Sequence, residues 1–519
     1  MRAKNSLRNI KYNLIFYFIN LFLVFFSRKV FIISLGPQLS GVHALFQNLV
    51  GFLNITELGI LGAVTYSLYI PLREKNYEKI NSILLTFKYL YRGVAVVIFL
   101  AGSLLSLFMN FIIRDKVNLF NIRIYFMLFL FSTVLSYCLT YLQVIIIVDQ
   151  KSYIITKVMG FSKIAKTMLQ IAVIYYAKWY MGWLLIEIIF SLGTFKLCND
   201  KILSTYNWID LKGNTKFSEL IKENKKIFIN TRDLFFHKLG GFVVFETDNL
   251  VISAFLSLKA VTIYSNFMLI IVNIVGITTQ VFNGIAPSIG DLISEGNNEK
   301  SYEVWSELHA FFSLVGVILC FCTYELGNIF VKLWLGKEYL LGNLTLFLIV
   351  VNLYFTVIRL ATDSFKSGYG IFMDRWAPMM EIALNLTFSI ILVNVIGVSG
   401  VVIGTIISNV SILIWKPYIL FNKGFKKSIK YYYLLQLRLT VLGVLAIFSS
   451  EVICRLLQEN FSFENWISFI ILSVLTLFII SLATFGFMCF DNNFRRFLSK
   501  QIKLTVNLKK YNVYKKLDL

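Results

Sequence analysis

The sequence predicts an all-α integral membrane protein with about fourteen transmembrane helices, and three observations carry that expectation. Of 519 residues, 57% are hydrophobic and only 15% charged, with a mean hydropathy of +0.72; a soluble domain runs near half apolar and about a quarter charged. The apolar residues come in repeated runs of about 20, enough to cross about 30 Å of hydrocarbon as helix. The whole chain holds only 5 prolines, so the runs are seldom interrupted. Backbone groups in lipid must be satisfied within the segment, which makes such runs helical. Transmembrane strands would instead alternate over about ten residues, and no such alternation is present.

In order, the runs cover 12–35, 42–70, 88–113, 119–148, 153–177, 179–198, 233–257, 260–287, 309–334, 341–365, 377–397, 400–421, 431–456 and 465–490. The first is too long for a signal peptide and lacks a small-residue cleavage site, so it is expected as a retained span. The fifth, with Lys157, Lys163 and Lys166, is the least lipid-like. The longest polar stretch, 199–232, separates two blocks of six. The expected organisation is an N-terminal six-helix bundle over 1–198 and a cytoplasmic linker loop over 199–232. A second six-helix bundle follows over 233–421, with two additional helices over 422–490. A basic tail over 491–519 reads as a surface-lying amphipathic segment attracted to anionic lipid.

The net charge is +22. In a soluble protein that would point to nucleic acid. Here the basic residues sit between apolar runs and read as topology determinants and headgroup contacts. An even span number with the N-terminus inside places Arg2, Lys4, Arg8 and Lys11 on one side. Arg73, Lys75 and Lys79 join them, with eight basic residues between Lys196 and Arg232. Lys423, Lys426, Lys427 and Lys430 follow, then eight more between Arg495 and Lys516. The other side holds Arg114, Lys116, Arg123, Lys178, Lys259, Lys337 and Arg455. Basic residues concentrate on the cytoplasmic side of membranes, so both termini are expected there. The six cysteines lie in or beside apolar runs without zinc or disulfide spacing and read as small buried hydrophobes.

An internal repeat accompanies the division. LGPQLSGVHALFQNLV from Leu35 lays without gaps on LSLKAVTIYSNFMLII from Leu256, and at the same offset Glu78-Lys79 falls on Glu299-Lys300. Identities are few, and chance likeness among apolar segments is the competing account. Duplicated bundles around a central cavity are a common transporter design.

The stretch SRKVFIISLGPQLSGVHALFQNLVGFLNITELGILGAV resembles the opening two helices of polysaccharide repeat-unit flippases. These belong to the multidrug/oligosaccharidyl-lipid/polysaccharide exporter superfamily, with the MATE exporters. Similar segments are TDNLVISAFLSLKAVTIYSNF, FKSGYGIFMDRWAPMMEIALNLTFSIILVNVIGVSGVVIGTIISN and the mid-chain basic loop. The likeness covers nearly the whole chain. It implies a MATE-like, V-shaped pair of six-helix bundles with two peripheral helices. The implied activity moves an undecaprenyl-pyrophosphate-linked oligosaccharide from the inner to the outer leaflet, in making a capsule, an O-antigen or another surface polysaccharide. The implied setting is the bacterial cytoplasmic (inner) membrane.

Such a cargo sets physical demands. Isolated ions in hydrocarbon cost many kcal/mol, so the headgroup needs a hydrated, cationic cavity while the tail stays in lipid. Charges inside spans are therefore the candidates, each costing at least about 2.5–3.5 kcal/mol at mid-helix. Arg28 lies about 24 Å along the first span at about 1.5 Å per residue. It is a diphosphate candidate through its planar donor fork, or else snorkels to headgroups; Lys29 shares the choice, rotated about 100° away. Glu57 is the clearest buried acid of the first half, open to carrying a proton, binding sodium or pairing with a cation. Asn54 lies near its face, and His43 is expected as a satisfied interfacial group. Asp248 matches the family's Thr-Asp-Asn segment and is preferred to Glu246 as a cavity-facing acid. Arg359 and Asp363 are four apart and can pair on a helix, with Arg359 a second diphosphate candidate. Lys163 and Lys166 read either as a cavity-lining face or as the basic ends of a short span. The glycines of GVSGVVIGT (Gly397, Gly400, Gly404) suit close helix packing.

The expected partners are a polyprenyl-diphosphate-linked oligosaccharide, the bilayer and the polysaccharide polymerase machinery; nucleic acid is not among them. No cofactor is expected, and coupling to H+ or Na+ stays open. A MATE-like drug exporter shares the scaffold, but a cation pocket should be acidic. A polymerase or glycosyltransferase needs acid–base or metal-binding residues outside the membrane; the outer segments are short and hold no D-x-D. No Walker-type phosphate loop is present. The expectation is a transporter and not an enzyme.

Overall fold

The computed structural model describes residues 2–57, 60–115, 118–211, 217–225, 227–228, 231, 247–283, 286–371, 377–460 and 465–500, and these are helical without strands. By packing, the chain divides into two units, Met1–Ser265 and Asn266–Leu519.

The first unit opens with α1 (Arg2–Leu53), 52 residues long. Straight, it would extend about 78 Å, more than twice the hydrocarbon thickness. It is broken at Gly36, φ 84°, followed by Pro37. Glycine enters that left-handed region without a Cβ clash, and proline disrupts the preceding turn. The break falls between the first two expected spans. The second span is itself interrupted: a 3-10 turn holds Asn54–Glu57 and α2 resumes over Ile60–Glu74. This interruption falls inside a run that is apolar on average, which apolar content alone does not register.

Next come α3 (Tyr77–Leu107), α4 (Met109–Ile112), α5 (Leu119–Leu139), α6 (Gln143–Val148), α7 (Tyr153–Ala177) and α8 (Tyr180–Thr205). The expected fourth span, 119–148, is split between α5 and α6 at Thr140, whose hydroxyl donates to the Ser136 carbonyl at 2.8 Å. The core of the unit is apolar, with Leu45, Phe46, Leu84, Phe87 and Phe126 fully buried.

The described part of 199–232 packs onto α3. Trp208 lies against Tyr77, ring centroids 4.5 Å apart. After α9 (Phe217–Glu223), Glu223 accepts from Lys79 Nζ at 2.9 Å and from Ser82 Oγ at 2.7 Å. Asn224 donates to the hydroxyls of Ser82 and Thr86, and Leu220 and Ile227 are buried. The Lys79 hydrogen bond holds the Glu223 carboxyl below its ordinary range.

Helix α10 (Asp248–Phe255) and the start of α11 (Leu258–Asn283) close the first unit. The break between them, at Leu256, falls on the residue that the internal repeat aligns with Leu35, beside the Gly36 break. The two breaks meet. Thr262 Oγ1 donates to the Pro37 carbonyl at 2.5 Å, and a Cβ at Gly41 would lie 2.1 Å from the Leu258 carbonyl oxygen. Only glycine fits there.

In the second unit follow α12 (Ala286–Ser294), α13 (Asn298–Trp334), α14 (Asn343–Gly368), α15 (Ala377–Ile396) and α16 (Val398–Ile419). A π-helical segment, Leu420–Phe425, then leads to α17 (Lys430–Asn460), α18 (Trp466–Met488) and helix over 492–500. Helices α15 and α16 touch backbone to backbone. A Cβ at Gly400 would lie 2.3 Å from the Leu392 carbonyl carbon, and one at Gly404 2.6 Å from the Ser389 nitrogen. Helix α18 is apolar all round: Ile467, Ile470, Val474 and Phe478 face outward, Leu472, Ile480 and Met488 inward. That pattern marks a membrane helix, or a deep core one, rather than a surface one.

Among the described residues, 11 helices are long and apolar enough to cross a membrane, against about fourteen expected. Three expected spans make the difference. The first two share α1, with the second continuing through α2. The fifth, α7, carries three lysines. Of the seventh, residues up to 246, including Glu246, lie outside the described residues, as does the tail beyond 500.

Candidate functional site

In the first unit, α5, α7 and α8 leave a cleft of about 310 Å³ among their side chains. It is formed at helix positions where serine and threonine replace bulky residues: Ser132, Thr133, Ser136, Ser162, Ser191 and Thr194. Lys163, Lys166 and Glu187 line it, with Phe190 and Phe195. Lys166 Nζ meets Glu187 Oε1 at 2.6 Å. The other carboxylate oxygen accepts from Gln170 Nε2 at 2.9 Å, and that buried amide also donates to the Trp183 carbonyl at 3.2 Å. The acid is thus held from two sides. The cleft carries two ammonium groups against one carboxylate.

The structure brings Lys163 and Lys166 together there, whereas Lys157 sits over the Tyr12 ring, 4.3 Å from its centroid. Arg28 donates from Nη2 to Ser265 Oγ at 2.6 Å. Both Arg28 and Glu187 lie near enough to His43 for their charges to act on its ring. His43 is a satisfied group. Its Nδ1 is 3.1 Å from the Tyr180 hydroxyl, and Phe31, Phe129, Tyr180 and Trp183 pack around it. Lys29 is partly buried beside Arg28 on α1.

Two acids lie apart from the cleft. Glu57 accepts from the Tyr91 hydroxyl, and the Tyr137 ring lies 5.6 Å from that of Tyr91. Asp248, 5% exposed at the start of α10, accepts from the Tyr264 hydroxyl at 2.6 Å, while neighbouring Asn249 donates to Asn48 Oδ1 at 2.5 Å.

The second unit holds another cationic cluster. Arg359 Nε and Asp363 Oδ2 pair at 3.1 Å one turn apart on α14, and Lys416 Nζ of α16 meets Asp363 Oδ1 at 2.8 Å. Arg359 also donates to Asn409 Oδ1 at 3.0 Å, and Asn409 to Asn352 Oδ1 at 2.6 Å. Lys366 and Lys416 lie 5.5 and 5.6 Å from the Trp415 ring centroid, an arrangement that stabilises cations. Two basic side chains share one acid.

Sequence reasoning missed Glu187, Gln170 and Lys416. The signal for Glu187 was present, since it is the one acid in the run 179–198. Lys416 stands inside the run 400–421, where no spacing along the sequence ties it to Asp363.

No protein-family profile matches the sequence, and no curated protein does. Solved structures do share the fold. The lipid II flippase MurJ, in an inward closed conformation, matches with a TM-score of 0.65 at 14% identity, over 91% of this chain and 98% of that one. An inward-facing multidrug resistance MATE family transporter of the MOP superfamily matches with a TM-score of 0.57 at 13% identity, over 77% and 93%. The eukaryotic MATE transporter AtDTX14 matches at 0.52 and 12% identity, over 84% and 100%. The chain therefore has the all-α membrane fold of MurJ and the MATE transporters.

Proposed function

We propose that the protein is a flippase, not an enzyme, that moves a polyprenyl-diphosphate-linked oligosaccharide from the inner to the outer leaflet of a bacterial cytoplasmic membrane during surface polysaccharide synthesis. The observation that carries this reading is the surplus of cations within apolar helices. Lys163 and Lys166 line one cleft with Glu187, and Arg359 and Lys416 share Asp363. Unneutralised charge costs free energy in hydrocarbon, and a diphosphate headgroup offsets that cost. An exporter of organic cations would need the opposite balance. The fold shared with a lipid II flippase agrees with the reading, and both termini belong on the cytoplasmic side by the distribution of basic residues.

In this account Lys163, Lys166, Arg28 and Lys29 are the diphosphate candidates of the first unit, and Arg359 is that of the second. Glu57, Asp248 and Asp363 are structural or ion-coupling acids, and the polymerase that extends the glycan acts downstream. Removing the protein from cells should leave the lipid-linked repeat unit assembled but confined to the cytoplasmic face. If the lipid-linked unit fails to form at all, the protein is an enzyme of its assembly.

A further inference from the structure

We infer that the cleft between α5, α7 and α8 is the loading subsite for the first, phosphate-linked sugar of the cargo. This rests on the flippase reading and adds to it a place for the glycan.

The walls select the ligand. A groove for an isoprenoid tail would be lined by aliphatic side chains, and a packing interface of small residues would close up. This cleft does neither: it stays open to about 310 Å³, and six of its side chains are hydroxyls. That volume falls at the lower end of the about 300–1,000 Å³ of small-molecule sites, room for one sugar ring and its phosphate rather than a whole repeat unit. Several hydroxyls already have their hydrogen engaged: Thr133 donates to the Phe129 carbonyl at 3.3 Å and Ser136 to that of Thr133 at 2.7 Å. Their oxygens remain as acceptors, which suits a ligand rich in hydroxyl donors.

At the same cleft Lys163 and Lys166 supply cationic donors, and Glu187 is a further acceptor fixed by Lys166 and Gln170. Phe190 and Phe195 offer apolar faces to a sugar's C–H surface. Cations beside acceptors fit a sugar phosphate better than a lone phosphate or a neutral glycan.

The test uses the purified full chain in detergent, titrated calorimetrically with UDP-N-acetylglucosamine, a soluble sugar diphosphate, and with inorganic pyrophosphate. The wild type should bind the sugar diphosphate more tightly than pyrophosphate. The triple variant Ser136→Ala, Ser191→Ala, Thr194→Val should bind the sugar form about tenfold more weakly, from about three lost hydrogen bonds at the weaker end of their range, with pyrophosphate unchanged. Lys166→Gln should weaken both. Ser191→Ala alone, the smallest change, should give a partial loss if the triple variant fails to fold. Equal binding of the sugar form by wild type and by the folded variants overturns the subsite. A wild type that binds pyrophosphate without preferring the sugar form also overturns it and leaves the flippase reading standing. A wild type that binds neither probe counts against both.

Discussion

Replacing Asp363 with Asn removes the one carboxylate that Arg359 and Lys416 share. Exposed ion pairs are worth about 0–1 kcal/mol, whereas breaking a buried one costs about 3–5 kcal/mol, because a charge is stranded. The Arg359 and Lys416 side chains are 17% and 19% exposed and Asp363 33%, so the cost should fall between, at about 2–4 kcal/mol. Asn preserves the shape and one acceptor, which confines the change to charge. Lys416→Met alone leaves the Arg359 pair intact and should cost about 1 kcal/mol. The double variant should then lose about 1–2 kcal/mol less than the sum of the two, since Asn no longer strands Lys416. The assay is equilibrium unfolding in mixed micelles of mild detergent and SDS, followed by tryptophan fluorescence. A cost for Asp363→Asn within about 0.5 kcal/mol of wild type, or strict additivity in the double variant, would refute the reasoning.

Tyr91→Phe withdraws one hydroxyl from Glu57 and should destabilise the protein by about 1–3 kcal/mol, read in the same assay; no change would mean that the carboxylate is already solvated. Gly41→Ala places a methyl group against the Leu258 carbonyl, where backbone must move, and should sharply reduce the yield of monodisperse protein, while Gly290→Ala, with open space around it, should not. Because Glu223 titrates below its ordinary range, its contribution to docking the linker is present above the unfolded carboxylate pKa and fades as pH falls through the lower, folded value. The protection factors of amides over 217–225, taken against the intrinsic exchange rate at each pH, should therefore fall on acidification in the wild type, and Lys79→Met should show the lower protection already at neutral pH.

Much of the fold was legible in the sequence because lipid imposes one rule, that long apolar runs become helices. The positions of α3, α13, α14 and α18 follow from that alone. The breaks at Asn54–Glu57 and at Thr140 do not, because they fall inside runs that are apolar on average. The Arg359–Asp363 pair was legible from its spacing within one helix. The bond from Lys166 to Glu187 was not, because it joins neighbouring helices across 21 residues of sequence. Lys416 likewise reaches Asp363 from another helix, a proximity that only packing creates. His43 looked interfacial as a lone polar residue at a run's start, and the aromatic side chains that enclose it come from three other segments of the chain.

The most direct measurement of the central claim is transport by the pure protein. Proteoliposomes carrying a polyprenyl-diphosphate-linked oligosaccharide on their inner leaflet would be probed with an external glycosidase. The account predicts that the wild type exposes the cargo over time and that Lys163→Gln combined with Lys166→Gln exposes far less. A cargo that stays protected in wild-type vesicles, while an organic cation is moved by the same vesicles, would contradict it.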